Sequence, residues 1–331
     1  MGERGFRIAV LGAMGAVGGE IIDVLEERSF PVAELRAYAS TGGSEIDFQG
    51  QTVAVRAFDA AELGQSEIVF CATPELAQGL LELARTGEVG VIDTSGALEL
   101  DPAVPLYLPG LTPLPQSAGR VVAIPRGVAA GLALALLPLS REVEITRATV
   151  VCLEPAVGVG RQGVGELTAH TAEILNRMSG EIGESECFPH SLAFECLPLV
   201  GELEGEGSSS EETRLAQVLR RLLRAPALPL EVTRIRVPTF AGSVSAVHLA
   251  LARGLSVDRA RAIWEKQPML RVLDPGSLPT PRGALGHDEV AIGRVRPGGE
   301  DAPGLAFALA LDDLRRGAAL GAVEAAEALC R

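Results

Sequence analysis

Residues 12–18 of the chain read Gly12, Ala13, Met14, Gly15, Ala16, Val17, Gly18, between a short apolar run, Arg7–Leu11, and a stretch with helical spacing, Glu20–Glu27. Glycines at that junction suit one task. Gly12 permits a tight turn, Gly15 lets backbone approach a pyrophosphate, and Gly18 allows a helix to pack closely on a strand. The helix N-terminus then offers unpaired N–H groups and the positive end of its dipole to phosphate. The spacing is GxxGxxG rather than GxGxxG, so a turn needed only for packing stays open as the alternative. The cofactor expected is NAD or NADP. An acid at the end of the second strand would favour NAD and a cation NADP. This chain has Ser40 and Thr41 there, between Ala39 and Gly42, which leaves the choice undecided.

The elements that must position this loop alternate. Leu35–Ala39, Ile68–Cys71 and Val89–Ile92 are strand-like, and Leu76–Ala84 is helical. Alternation of this kind predicts βαβ units and a parallel sheet buried on both faces, with ligands at the carboxyl ends of its strands. From about Glu142 the character changes. Val143–Leu153, Arg234–Val237 and Val244–Arg253 read as longer strands, and Glu166–Met178, Ala216–Leu223 and Val257–Trp264 as helices. Gly201–Thr213 is polar, acidic and rich in glycine and serine, and reads as an exposed loop. Leu314–Leu329 is Ala-rich and helical, and no 20–50-residue repeat is visible.

A length of 331 residues predicts two domains. With 29 Lys and Arg against 43 Asp and Glu, the net charge of −14 argues against nucleic acid or an anionic membrane surface as partner. A small anionic ligand held by local donors stays possible. Gly127–Leu139 is apolar but too short to span a bilayer, and Pro138 interrupts it. The N-terminal stretch lacks a signal-peptide cleavage pattern. Five scattered cysteines without CxxC spacing and four dispersed histidines predict neither a disulfide framework nor a metal site, and fit a reducing cytoplasm.

Several segments taken together resemble the aspartate-semialdehyde dehydrogenase family, closest to its Usg-type paralogues with altered active sites. They are Gly12–Gly18, Val91–Gly110, Pro155–Leu167, Arg236–Ser245 and Asp312–Glu327, in family order over nearly the whole chain. The resemblance implies a Rossmann-type NAD(P)-binding domain (1–125 with the C-terminal helix, 312–331). It also implies an α/β catalytic-type dimerisation domain (126–311) and a homodimer. It implies a chemistry in which a Cys thiolate attacks an aldehyde, hydride passes to NADP, phosphate releases an acyl phosphate, a His acts as base, and two Arg residues grip substrate carboxylate and phosphate. It places Ser95 and Gly96 with the loop residues as cofactor contacts, and Asp312 and Asp313 near the nicotinamide.

Carried over residue by residue, the resemblance fails at its centre. The nucleophile falls on Gly127, the glutamine on Pro155, the base on Ser243, and a substrate-side arginine on Glu99. Glycine cannot form a covalent thiohemiacetal, and neither Ser243 nor Pro155 accepts a proton near neutrality. What survives is Arg236, at the carboxylate-gripping position, and Arg214, at a phosphate-contacting lysine. Arg236 reads equally as a strand arginine paired with an acid. Arg126, beside a helix N-terminus, suggests an anion held between the two. Cys152 and Cys196 are the candidates for a relocated nucleophile, and His248 and His287 read as surface or core histidines. Three functions follow: a silent or repurposed paralogue that binds a dinucleotide and dimerises, an NAD(P)-dependent oxidoreductase working without a covalent intermediate on an aldehyde or oxo group, and the aspartate-semialdehyde reaction itself.

Overall fold

A computed structural model describes residues 5–85, 89–113, 121–177, 183–299 and 303–330. The chain forms two compact units, one running through Arg126 and resuming at Gly317, the other Gly127–Arg316.

In the first unit β1 (Phe6–Leu11) leads into α1 (Ala16–Glu27) and β2 (Val32–Ala39). A hairpin follows, β3 (Ser44–Phe48) and β4 (Gln51–Ala57), then α2 (Ala60–Leu63), β5 (Ile68–Cys71), α3 (Pro74–Arg85), β6 (Gly90–Asp93) and β7 (Val121–Ala123). Among the described residues these strands make one seven-stranded sheet, ordered β3-β4-β2-β1-β5-β6-β7. All its pairings are parallel except β3 with β4. Strands β5, β6 and β7 and residues 8–11 of β1 are buried because both faces of the sheet are covered there, whereas β3 and β4 are largely exposed. Ile8 and Val10 face Ile21 and Leu25 of α1, while Ala9 and Leu11 face Leu63 and Leu80. Strand order reverses beside β1, so the crevice at the carboxyl ends of β1 and β5 is the topological switch point where such sheets bind ligands. The sequence reading contains no β3–β4 hairpin. Its turn, Gln49-Gly50, has φ +50° and +72°. This is the left-handed pair that two-residue hairpins favour, with Gln in place of the usual Asn or Asp.

The second unit opens with α4 (Val128–Ser140), buried along nearly its whole length with Pro138 accommodated in its last turn. Pro138 therefore does not interrupt this helix. The unit continues with β8 (Ile145–Glu154), α5 (Arg161–Arg177), α6 (Ser210–Leu223), β9 (Leu230–Arg236), β10 (Ser243–Leu251), α7 (Val257–Trp264), β11 (Leu270–Val272), α8 (Pro281–Ala284), β12 (Val290–Pro297) and β13 (Gly304–Leu311). The expected end of α5 at Met178 lies outside the described residues. Among the described residues a six-stranded mixed sheet runs β11-β12-β13-β10-β8-β9. Trp264 fixes α7 on α4 by donating its indole N–H to Ala135 O at 2.8 Å, and its ring meets Phe307 edge-on at 4.9 Å.

Part of the acidic segment read as loop is helix. Ser209 and Glu212 form a reciprocal capping box, so α6 starts at Ser210. After β13 the chain makes a π-helical turn, Arg315–Ala319, and ends in α9 (Leu320–Leu329). Residues 312–316 stay with the second unit, where Asp312 accepts the Gly286 N–H and Arg315 pairs with Asp288. In the first unit α9 packs Val323 and Ala326 into the cluster of Ile21 and Leu25.

Candidate nucleotide and anion sites

The Gly12–Gly18 loop has the shape its residues predict. Gly12 adopts φ +83°, and a Cβ there would lie 2.7 Å from Thr73 Oγ1. At Gly18 a Cβ would fall 2.1 Å from Gly12 O, so the close helix–strand approach admits no side chain. The N–H groups of Gly12 and Ala13 both donate to Tyr38 O, tying the loop to the end of β2. The Ala13 side chain is buried in the core, whereas Met14 and Gly15 are exposed and Ala16 and Val17 half-buried. Gly15 is the N-cap of α1 and supplies no side chain to its first turn. That turn is therefore available to a phosphate, and the cradle fits a pyrophosphate.

Ser40 and Thr41 are exposed on the turn after β2. The β2–β4 register sets Arg56 beside Tyr38, and the Arg56 side chain is 60% exposed with Glu62 at 3.4 Å. Sequence spacing does not reveal this cation, because only the β3–β4 hairpin returns Arg56 to the end of β2.

The loop after β6 is organised by Asp93, which the sequence reading did not single out. Its fully buried carboxylate accepts the N–H and hydroxyl of Ser95 at 3.0 and 2.5 Å and the Leu98 N–H at 3.0 Å. Burial raises the Asp93 pKa against these hydrogen bonds. The Ser95 hydroxyl is thus engaged within its own loop. Gly96 takes φ +86°, and a Cβ there would come 2.4 Å from Arg126 Nε, so the arginine lies against bare backbone. Glu99, fully buried, accepts the Arg126 N–H at 2.7 Å.

In the second unit Gly127 is the N-cap of α4, with φ +55° and ψ −132°. A Cβ there would have nothing within 4 Å. The alternative cysteines differ. Cys152 is fully buried, bonded to Ser245 Oγ at 3.4 Å, and burial pushes its thiol up to about 12. A buried thiol held in its neutral form has the character of a core residue. Cys196 is exposed. His248 and His287 are both exposed, whereas the buried histidine is His170, bonded to Ser191.

The two arginines of β9 have different partners. Arg234 is the acid-paired residue: Nε and Nη2 meet Glu154 at 2.5 and 2.7 Å, and Nη1 meets Glu211 at 2.7 Å. Glu154 holds the Arg234 proton more tightly even though burial opposes it. Arg214 joins this network through Glu211, at 3.2 Å. Arg236 differs. It is 5% exposed, its Nη1 donates to Pro155 O at 2.7 Å, and no carboxylate lies within ion-pair distance among the described residues. Its guanidinium rests on Gly158, where a Cβ would lie 2.3 Å from Nη1. Burial lowers its pKa while Glu154 opposes the shift. Pro155 thus contributes a carbonyl rather than a side chain.

Ser243 and Asp313 meet each other. The fully buried Ser243 hydroxyl donates to Asp313 Oδ1, and burial pushes the Asp313 carboxyl up to about 7 against that hydrogen bond. The oxygens of Asp312, by contrast, accept the N–H groups of Gly286, Leu314 and Arg315, a capping role.

The chain matches two domain families. Residues 7–115 match "Semialdehyde dehydrogenase, NAD binding domain" and residues 136–316 "Semialdehyde dehydrogenase, dimerisation domain". It is 34% identical to a USG-1 protein homolog of Azotobacter vinelandii, over 98% of this chain and 97% of that protein. It is 31% identical to an aspartate-semialdehyde dehydrogenase of Legionella pneumophila, over 99% and 97%. The crystal structure of aspartate semialdehyde dehydrogenase II from Vibrio cholerae superposes with a TM-score of 0.93 at 30% identity, covering 99% of each chain. No helix among the described residues is long and apolar enough to cross a membrane.

Proposed function

The chain belongs to the semialdehyde dehydrogenase family, and from that premise we propose that it binds NAD or NADP and pairs as a homodimer without the family's covalent reaction. On this reading it is a silent or repurposed paralogue. The proposal is carried by the resemblance that sets Gly127 at the family's nucleophile position, supported by a left-handed backbone there that a cysteine would adopt only with strain. Ser243 at the base position and Pro155 at the glutamine position support the same conclusion.

The Gly12–Gly18 loop and the Ser95–Gly96 turn would hold the dinucleotide, with Ser40 and Thr41 beside the adenosine ribose. A bound nicotinamide supplies hydride transfer. The two compact units are assigned as the dinucleotide-binding and dimerisation domains. Support for a homodimer comes from the sheet face of the second unit that carries Leu153, Val244, Ala246 and His248, all partly or fully exposed. An uncovered sheet face of small and apolar residues suits pairing with a second copy. Arg236 is assigned to an anionic group of the ligand, since its charge has no carboxylate partner among the described residues. With Arg214 committed to Glu211, its part in the site reduces to holding the network that leaves Arg236 available. A cytoplasmic location and a ligand that is neither nucleic acid nor membrane complete the reading.

A second reading, an oxidoreductase acting directly on an aldehyde or oxo group, is favoured by the Ser243–Asp313 pair, a proton-holding group at the base position. Both readings need the cofactor. At a hundredfold excess over its dissociation constant, NADP or NAD should stabilise the fold by about 2.7 kcal/mol, read as a rise in melting temperature. A Gly18→Ala variant should show no rise. Absence of any shift with either nucleotide would refute cofactor binding.

A further inference from the structure

Resting on the assignment of the Gly12–Gly18 loop to a dinucleotide, we infer that Arg56, on the second strand of the β3–β4 hairpin, selects NADP over NAD by pairing with the ribose 2′-phosphate. Glu62 holds the Arg56 guanidinium until that phosphate displaces it.

A run of short distances joins Arg56 to the phosphate loop. The N–H groups of Gly12 and Ala13 donate to Tyr38 O at 2.9 and 3.0 Å. Tyr38 is the register partner of Arg56, and Ala39 that of Ala57, in the parallel pairing of β2 with β4. The turn after β2 then folds onto the same residues. A Cβ on Gly42 would lie 2.9 Å from Ala57 N and 3.4 Å from Arg56 Cα, and the Gly43 N–H donates to Val55 O at 3.1 Å. Ser40, Thr41 and Arg56 are all exposed around this contact. In a sheet of this kind the end of the second strand meets the adenosine ribose, and an arginine close to it accommodates a 2′-phosphate.

The partners of the two arginines at this place decide which one is available. Arg36, on β2, meets both Glu34 oxygens at 2.8 and 3.1 Å and also donates to Glu62 O and Gln65 Oε1. It is committed. Val55 packs in the cluster with α1, so Arg56 projects from the opposite face of the sheet, where Tyr38 and Leu63 pack. There its Nη1 meets Glu62 Oε2 at 3.4 Å, a long contact between two exposed side chains. Such a pair is weak. Glu62 keeps a second partner, the Tyr38 hydroxyl at 2.8 Å, so it is not stranded when Arg56 leaves. A phosphate offers the guanidinium a more highly charged partner that its planar fork grips with two N–H groups at once. NAD carries a hydroxyl at that position, which has no charge to set against that of Glu62.

Calorimetric titration of the full-length protein with NADP and with NAD tests this, at about pH 8, where the 2′-phosphate is doubly charged. The wild type should bind NADP about tenfold more tightly than NAD, the return on one charge-assisted contact. Arg56→Gln should bring NADP to the level of NAD and leave NAD unchanged. Arg56→Lys, which keeps the charge, should retain most of the preference. Glu62→Gln still accepts the Tyr38 hydroxyl but no longer competes for Arg56, so it should tighten NADP by about two- to fivefold and leave NAD unchanged. Equal wild-type affinities, or a preference undiminished in Arg56→Gln, overturn the inference and leave the dinucleotide assignment standing. An NAD affinity that falls together with that of NADP in Arg56→Gln makes Arg56 a structural residue and overturns selection. NADP affinity unchanged or lowered in Glu62→Gln overturns the hold of Glu62 on Arg56. Absence of binding by either nucleotide overturns the assignment of the Gly12–Gly18 loop, and the inference with it.

Discussion

Replacing Asp313 with asparagine should make the protein more stable relative to wild type as pH rises, by an amount the structure sets. The folded carboxyl sits at about 7 and an unfolded aspartate at about 3.9, a difference of roughly 3 units or about 4 kcal/mol. Between those values the unfolded chain has released its proton and the folded chain keeps one, so stability falls as pH rises. Below the lower value Asp313 contributes nothing, and above the upper value the whole penalty is present. From about pH 5 to about pH 8 the wild type should therefore lose roughly 2–3 kcal/mol relative to Asp313→Asn, the other carboxylates cancelling in the comparison. Urea unfolding followed by Trp264 fluorescence is the assay. Trp264 is the single tryptophan, is fully buried, and lies in the same compact unit as Asp313. Parallel stability curves for the two proteins, or a wild type that gains on the variant with rising pH, would refute the burial account of Asp313.

Three further outcomes follow from the same packing. Glu154→Gln leaves the buried Arg234 with Glu211 as its remaining carboxylate, so it should cost about 3 kcal/mol; a loss under about 1 kcal/mol in the same urea assay would contradict the network. Ser209→Ala breaks the capping box at the start of α6 and should cost about 1 kcal/mol; an unchanged urea midpoint would show that the cap contributes nothing. Gly127→Cys meets open space but a left-handed backbone, so thermal unfolding should register about 1–3 kcal/mol of strain. The same variant should not gain phosphate-dependent aldehyde oxidation, because Ser243 cannot replace the missing base.

The parts of the fold legible in the sequence were those where one pattern had one cause. A strand, glycines and a helix in succession announce β1, the loop and α1, and the glycine contacts at positions 12 and 18 are the physical content of that pattern. β5 was readable to the residue, since a fully buried parallel strand is a short uninterrupted apolar run. The β3–β4 hairpin was hidden by its Gln49-Gly50 turn, and Arg56 was lost with it. The start of α6 was legible but unread, as Ser209 and Glu212 have capping-box spacing. In the second unit, sequence could name Arg236 but could not tell whether an acid pairs with it. That depends on a register that puts Glu154 opposite Arg236 while its carboxylate goes to Arg234. The meeting of Ser243 and Asp313 is beyond any reading of spacing, because they lie 70 residues apart and are joined only by the pairing of β10 with β13.

The most direct test of the account is a spectrophotometric assay at high protein concentration, with aspartate semialdehyde, phosphate and either NADP or NAD, and Gly18→Asp as the control against a contaminating enzyme. The account predicts no phosphate-dependent reduction of either nucleotide, while the nucleotide still raises the melting temperature. Turnover in the wild type that disappears in Gly18→Asp would contradict it, and would turn attention to the exposed Cys196 as a nucleophile.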